Sequence, residues 1–152
     1  MCSILVALSV GIGIDSVINK INNINFIENR LQYKKIDNMI ILDDSYNSNV
    51  NGFINAIDTL MLYNGKKFLI SPGIVETNGD ELNEKIALYL RDLDINVLLI
   101  KNKSSKVYEN IINNNKLVFN SFKEAYEYAL KISENEEICV LIENDLTDNY
   151  FL

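Results

Sequence analysis

Short apolar runs alternate along the chain with longer segments in which apolar residues are spaced as on one face of a helix. The clearest apolar runs cover residues 39–42, 67–71, 96–100 and 138–142. Runs this short, flanked by turn-forming residues, predict strands that are buried on both faces of a parallel sheet. Weaker patterns predict an edge strand over 31–36 and a short strand over 117–119.

Helical spacing fills the intervals between these strands. It predicts helices over residues 52–63, 79–91, 104–113 and 121–132, the third of them capped by Ser104 or Ser105. Regular alternation of strands and helices is typical of parallel sheets built with right-handed crossovers. The predicted fold class is therefore α/β, with a Rossmann-like, mostly parallel sheet of about five to six strands and helices on both faces.

The N-terminal segment differs, because residues 3–14 are apolar and uncharged. This stretch is too short to span a bilayer, and no basic residue precedes it as in a signal peptide. It predicts a buried helix over 4–10, ended by Gly11 and Gly13, and a second helix over 15–21 capped by Asp15. Neither helix alone has a partner to cover its apolar surface, so we expect the segment to pack against something larger.

Composition narrows the possible functions. The net charge of −7 comes from 14 Lys and Arg against 21 Asp and Glu, without a basic run, so neither a nucleic-acid partner nor a membrane is expected. The chain has no histidine, which excludes a His-based catalytic triad and a structural zinc site. Cys2 and Cys139 lack the spacing of a metal site and indicate the reducing cytoplasm.

Polar residues follow three of the predicted strands. The segments are DDSYNSN at 43–49, SPGIVETNG at 71–79 and ENDLTDN at 143–149. Because the carboxyl ends of parallel strands share one edge of a sheet, the three segments are expected to meet there, where open α/β sheets bind ligands. The alternative is that they only form turns, with Asp43 or Asp44 capping the next helix at about 1 kcal/mol.

These three segments, in this order, resemble the C-terminal domain of the Mur ligase family. The resemblance is closest to the type that adds D-alanyl-D-alanine to a muramoyl tripeptide, in the branch common in Gram-positive bacteria. Residues 43–49 resemble the start of that domain, and residues 71–83 resemble its T-P-G-M-V-E-L-G loop with the Asn that follows. ENDLTDNY at 143–150 resembles E-N-D-L-P-D-N-Y, and ENR at 28–30 resembles the junction with the central domain. Thr77 and Thr147 depart from these patterns.

The resemblance implies a division of the chain at about residue 35. Residues 1–35 look like a helical stub from the end of the family's central ATPase domain, and residues 36–152 look like its C-terminal domain. The G-K-T/S loop, the magnesium ligands and the modified lysine of the central domain have no counterpart here. The resemblance thus implies a fragment of a peptidoglycan ligase that is inactive without an ATPase domain, in cis or in trans. A deliberate fragment, a decayed gene product and a natural separate chain remain open.

The resemblance also implies nucleotide contacts. Asp44 would bind a ribose hydroxyl, and Tyr46 or Asn47 would contact the adenine or the phosphates. Arg30, in the junction motif, belongs to the same nucleotide-binding group. ATP and Mg²⁺ serve the intact ligase, and neither is expected to bind tightly to this chain alone.

For the second substrate, the resemblance points to Glu76 and Asn78, with Asp145 as a further candidate. They would face the amino acid or dipeptide that is joined to the muramoyl peptide. No catalytic residue and no metal ligand is assigned to this chain. Two other functions remain open: a non-enzymatic module that binds a nucleotide or an amino acid at the same edge, and an inert remnant with a sound core.

Overall fold

The computed structural model describes residues 2–21, 23, 27–46, 49–75 and 80–143. Its helices are α1 (Cys2–Ser9), α2 (Ile14–Ile21), α3 (Val50–Met61), α4 (Glu81–Arg91), α5 (Ser105–Ile111) and α6 (Phe122–Ser133). Its strands are β1 (Gln32–Ile36), β2 (Met39–Asp44), β3 (Lys66–Ser71), β4 (Asn96–Ile100), β5 (Lys116–Phe119) and β6 (Ile138–Glu143). Every predicted helix and strand is present.

The six strands form one sheet in the order β1-β2-β6-β3-β4-β5. All neighbouring pairs are parallel except β1 and β2, which form an antiparallel hairpin through Asp37 and Asn38. Antiparallel strands can be joined by so short a turn, whereas the parallel pairs need helical crossovers. The predicted Rossmann-like, mostly parallel sheet is confirmed, with an antiparallel edge strand.

Apolar side chains bury both faces of the sheet, because successive residues of a strand point to opposite sides. Leu69 and Leu141 belong to a core shared with α3, α4 and α5. Ile70 and Val140 belong to a second core against α6. Helices on both faces are therefore confirmed, three on one side and one on the other. All six residues of β6 are buried, as expected for a central strand.

Three helix caps suggested by the sequence are not found: at α3 and α5 another side chain accepts the first free N–H group, and at α2 the predicted residue lies within the helix. The cap of α3 is Asn49, whose Oδ1 accepts the Gly52 N–H at 2.9 Å, rather than Asp43 or Asp44. At α5, the Ser105 N–H donates to Asn102 Oδ1 at 2.8 Å, so neither predicted serine caps the helix with its side chain. Helix α2 begins at Ile14, which places Asp15 inside its first turn.

Helices α1 and α2 pack against each other around an apolar cleft of about 360 Å³ lined by Ile4, Ala7 and Val17. The prediction that the first helix is buried is wrong within this chain, because Leu5 and Val6 are exposed. Exposed apolar side chains of this kind usually pack against a neighbouring protein surface. Among the described residues, no helix has both the length and the apolar character needed to cross a bilayer.

Candidate functional site

The carboxyl ends of β2, β6 and β3 lie side by side, because these strands are adjacent and parallel. Strand β2 ends at Asp44, β6 ends at Glu143 and β3 ends at Ser71. The three polar segments therefore begin at one edge of the sheet, as the sequence predicts. Parts of each, residues 47–48, 76–79 and 144–152, lie outside the described residues.

Asp43 is enclosed at this edge and has a structural role. Strand alternation places it on the α6 side, in line with Met39 and Ile41, and its side chain is fully buried. One carboxylate oxygen accepts a hydrogen bond from Lys34 Nζ at 2.7 Å, and the other accepts the Ser45 hydroxyl at 2.7 Å. Asp43 thus joins β1, β2 and the turn that follows, and both of its carboxylate oxygens have partners within the chain.

Asp44 points to the opposite side of the sheet and is only partly buried. Its Oδ1 accepts the Leu31 N–H at 2.9 Å. Its partner in the strand register is Glu143, whose side chain is fully buried. Burial raises the pKa of Asp44 above its ordinary value, against the opposing effects of the Leu31 N–H, the Arg30 charge and Glu143.

We expect the raised pKa of Asp44 to give a measurable pH dependence of stability. Because the folded chain holds this proton more tightly than the unfolded chain, the stabilisation is fully present below the ordinary pKa of 3.8. It is lost as the pH rises through the higher pKa of the folded state. The free energy of unfolding should be measured by urea denaturation from pH 3 to pH 7 for the wild type and Asp44→Asn.

Other carboxyl groups also titrate in this range, so the informative quantity is the stability of the wild type minus that of Asp44→Asn. This difference should favour the wild type most at the acid end and decline as the pH rises. A difference that is constant, or that grows towards pH 7, would contradict the prediction.

Arg30 and Tyr46 form a stacked pair beside Asp44. The Arg30 guanidinium carbon lies 4.2 Å from the centre of the Tyr46 ring, a cation–π contact. The Tyr46 N–H donates to the Asn29 carbonyl at 3.2 Å, and the ring remains 60% exposed. Asn29 and Leu31 adopt left-handed backbone conformations, with φ of 57° and 49°. The contacts of this segment with Asp44 and Tyr46 hold it in that unfavourable conformation.

Three of the predicted nucleotide residues, Asp44, Tyr46 and Arg30, are thus brought together, whereas Asn47 lies outside the described residues. Sequence reasoning missed a polar cleft of about 310 Å³ next to them. It is lined by Glu28, Asn29, Gln32 and Lys34. The sequence offers only a weak signal for this cleft, because its residues come from an irregular segment and from an edge strand that sequence spacing barely marks.

The predicted second-substrate residues Glu76, Asn78 and Asp145 all lie outside the described residues. What the structure does describe is the segment that leads from β3 towards Glu76, residues 72–75. It is held by buried side chains of α4 and α5. Within the described part of the chain, no group of three or more Asp, Glu, Cys or His side chains is arranged to hold a metal ion.

A six-stranded, mostly parallel sheet with this polar edge is the fold of a domain of the Mur ligases, although no protein-family model matches the chain. The chain is similar to MurF from Thermotoga maritima in complex with ADP, with a TM-score of 0.72 and 22% identity over 94% of this chain. It is similar to MurF from Acinetobacter baumannii, with a TM-score of 0.71 and 15% identity over 91% of this chain.

A pseudomurein peptide ligase type C from Methanothermus fervidus has the same fold, with a TM-score of 0.63 and 20% identity over 90% of this chain. The chain spans only about a third of each of these proteins, namely 33%, 32% and 30% of their lengths. At these identities the likeness establishes the fold. It does not distinguish a Gram-positive branch.

Proposed function

We propose that the chain is part of an ATP-dependent ligase that forms an amide bond in peptidoglycan precursor synthesis in the cytoplasm. In this proposal residues 36–152 are the C-terminal domain, and residues 1–35 are the end of the central ATPase domain. The observation that carries the proposal is the convergence of Asp44, Arg30 and Tyr46 at the carboxyl edge of the sheet. The shared fold with MurF structures, one of them solved with ADP, supports it.

The proposed reaction has two steps. An oxygen of the acceptor's carboxylate attacks the γ-phosphorus of ATP, and ADP leaves as an acyl phosphate forms. The incoming amine attacks the acyl carbon, phosphate leaves, and an amide bond remains. Mg²⁺, held by the ATPase domain, would neutralise charge on the phosphates. This chain would orient the reactants and exclude water from the acyl phosphate when the domains close.

The nucleotide would bind against Asp44, Tyr46 and Arg30. The Asp44 carboxyl group can accept a hydrogen bond from a ribose hydroxyl, and the exposed face of Tyr46 can stack on adenine. The Arg30 guanidinium, which contacts the same ring, offers positive charge for a phosphate. Asn47 would complete this set with an amide. These residue types fit the parts of an adenosine nucleotide.

The second substrate would bind beside the nucleotide. We assign Glu76 and Asn78 to the incoming amine, as the family resemblance implies. They follow β3 in the sequence, and β3 lies two strands away from the strand that ends at Asp44. Asp145 would follow β6, which lies between those two strands. The proposed pair of substrates is a muramoyl tripeptide and D-alanyl-D-alanine, as in the Gram-positive branch. A Glu carboxylate would suit an ammonium group.

The exposed apolar surface of α1 and α2 suits a partner domain. Its members include Leu5, Val6 and Ile18, all of which are exposed. In the proposal the rest of the central ATPase domain covers this surface, in cis or in trans. Burying it would remove a patch that soluble chains rarely leave open to solvent.

The test is reconstitution with a MurF truncated to its N-terminal and central domains. Adding this chain should restore release of phosphate from ATP and formation of the amide product, which mass spectrometry detects. Asp44→Ala should lower the activity about tenfold to a hundredfold, because a lost hydrogen bond to a charged group costs about 1.5–3 kcal/mol. Asp94→Ala is the matched control, because Asp94 is exposed just before β4, at the opposite edge of the sheet.

No product above the level of the truncated ligase alone would overturn the ligase proposal. A rise in the melting temperature of the isolated chain with ATP, without any reconstituted activity, would instead favour a non-enzymatic binding module. An unchanged melting temperature and no product together would favour an inert remnant.

A further inference from the structure

The segment that leaves β3 is fixed by a buried polar cluster. Its central member is Asn83, in the first turn of α4, and its side chain is fully buried. Asn83 Oδ1 accepts the Ile74 N–H at 2.8 Å, and Asn83 Nδ2 donates to the Ile74 carbonyl at 2.9 Å. A single side chain thus satisfies both backbone groups of Ile74, as a neighbouring strand would do.

Tyr108 of α5 reaches the same amide from the other side. Its hydroxyl donates to Asn83 Oδ1 at 2.8 Å, and its ring is almost fully buried. Burial raises the pKa of Tyr108, and the nearby Glu143 carboxylate raises it further, so the hydroxyl stays protonated and remains a donor. Oδ1 of Asn83 therefore receives two hydrogen bonds, which fix the orientation of the amide.

The neighbouring residues are held just as closely. Gly73 has a φ of +79°, and a Cβ atom there would lie 2.7 Å from Tyr108 Cε2. The Gly73 N–H donates to Ser71 Oγ at 3.0 Å, and Asn102 Nδ2 donates to the Pro72 carbonyl at 2.8 Å. Side chains from β3, α4, α5 and the loop after β4 therefore define the backbone from Ser71 to Ile74.

Stability alone does not explain this arrangement. Burying an amide and a phenol costs free energy that their hydrogen bonds only offset, and apolar side chains of similar size would fill the same space. What a satisfied polar cluster adds is one defined backbone conformation. The segment that it defines ends at Ile74, two residues before Glu76 in the sequence.

We infer that Asn83, held by the Tyr108 hydroxyl, is a positioning residue: it fixes the backbone from Ser71 to Ile74 at the carboxyl end of β3, and through this backbone it sets the affinity for the incoming amine substrate. The inference rests on the proposed function for the identity of that substrate. Asn83 acts through the Ile74 backbone and does not itself contact the substrate. The nucleotide residues Asp44, Tyr46 and Arg30 have other supports, so nucleotide affinity should not depend on Asn83.

Two variants and one control test the inference. Asn83→Leu keeps roughly the volume of the side chain but removes both the acceptor of the Ile74 N–H and the donor to the Ile74 carbonyl. Tyr108→Phe is the milder variant, since it removes only the hydroxyl bonded to Asn83. Tyr89→Phe is the matched control, because it removes a tyrosine hydroxyl that donates to Asp58 on the surface.

The first measurement is amide hydrogen exchange of the full chain. Asn83→Leu should speed the exchange of the Ile74 amide about a hundredfold, while the Leu69 amide in β3 stays protected. Tyr108→Phe should speed it by less, and Tyr89→Phe should leave it unchanged. Unchanged exchange at Ile74 in a folded Asn83→Leu chain would overturn the inference.

The second measurement uses the reconstituted ligase, with D-alanyl-D-alanine and ATP as the varied substrates. Both variants should raise the KM for the dipeptide, about tenfold or more for Asn83→Leu, because a displaced backbone beside the substrate is costly. The KM for ATP should stay within about twofold of the wild type. Equal changes in the two KM values, or none, would overturn the positioning role. If the ligase reconstituted with the wild-type chain shows no turnover, the proposed function is overturned instead. The hydrogen-exchange result at Ile74 would then still decide whether Asn83 fixes the backbone from Ser71 to Ile74.

Discussion

Gly73→Ala should lower the free energy of unfolding by about 3 kcal/mol, from a backbone cost of about 1–2 kcal/mol and an overpacking cost of similar size. Gly73 has a φ of +79°, a conformation that residues with a Cβ atom adopt only at a cost. The added Cβ would also lie 2.7 Å from Tyr108 Cε2 and 2.9 Å from Asn83 Oδ1. Urea denaturation followed by circular dichroism measures the loss.

Gly11→Ala separates the two causes. Gly11 also has a positive φ, +85°, but a Cβ atom there would meet no other atom within 4 Å. This control should therefore show only the backbone cost, about 1–2 kcal/mol. Equal losses in the two variants would mean that the contact with Tyr108 and Asn83 contributes nothing. A Gly73→Ala chain as stable as the wild type would contradict the described geometry of this segment.

Phe53→Ala should be the most destabilising single change proposed, with a loss of about 3–5 kcal/mol. Phe53 lies in the first turns of α3, and its side chain is fully buried in the core shared with α4 and α5. Removing the ring leaves a cavity between α3 and the sheet that the surrounding side chains cannot close. Thermal or urea denaturation measures the effect, and the folded chain should become much rarer at 37 °C.

Leu62→Ala is the matched control, because Leu62 follows the same helix but is 81% exposed. Its loss should be within about 0.5 kcal/mol. Phe53→Leu should recover much of the stability lost in the alanine variant, since it restores apolar volume. If Leu62→Ala cost as much as Phe53→Ala, the assignment of the buried face of α3 would be wrong.

The effect of Phe53 bears on the site as well as on the core. Helix α3 begins directly after the polar segment that follows β2, and Asn49 caps it. Phe53 anchors the first turns of that helix, so it anchors one end of the segment that includes Tyr46 and Asn47. The other end is anchored by Asp43, through Lys34 and Ser45. Both ends of the segment are thus attached to rigid elements, which suits the binding role proposed for it.

The neighbouring acids Asp43 and Asp44 illustrate how far sequence reasoning reaches. Both were equivalent candidates as residue types, since each ends the same apolar run. Strand alternation sends them to opposite faces, where one meets Lys34 and Ser45 and the other meets Leu31 and Glu143. Sequence resemblance selected Asp44 for the ligand, and the enclosed position of Asp43 agrees with that choice.

The sequence by itself determined the order and type of the elements, because hydrophobic periodicity depends only on nearby residues. The runs at 39–42 and 138–142 and the helical spacing around Phe53 sufficed for the fold class. Sequence also placed the three polar segments at one edge of the sheet, since parallel strands share their direction.

Only the tertiary structure decided which side chains meet. The double hydrogen bond of Asn83 with Ile74, the contact of Tyr108 with the same amide, and the pairing of Asp44 with Glu143 join residues from separate elements. The antiparallel position of β1 and the cap of α3 by Asn49 were settled in the same way. Such contacts depend on the packing of distant segments and on competition between nearby polar groups, and local spacing encodes neither.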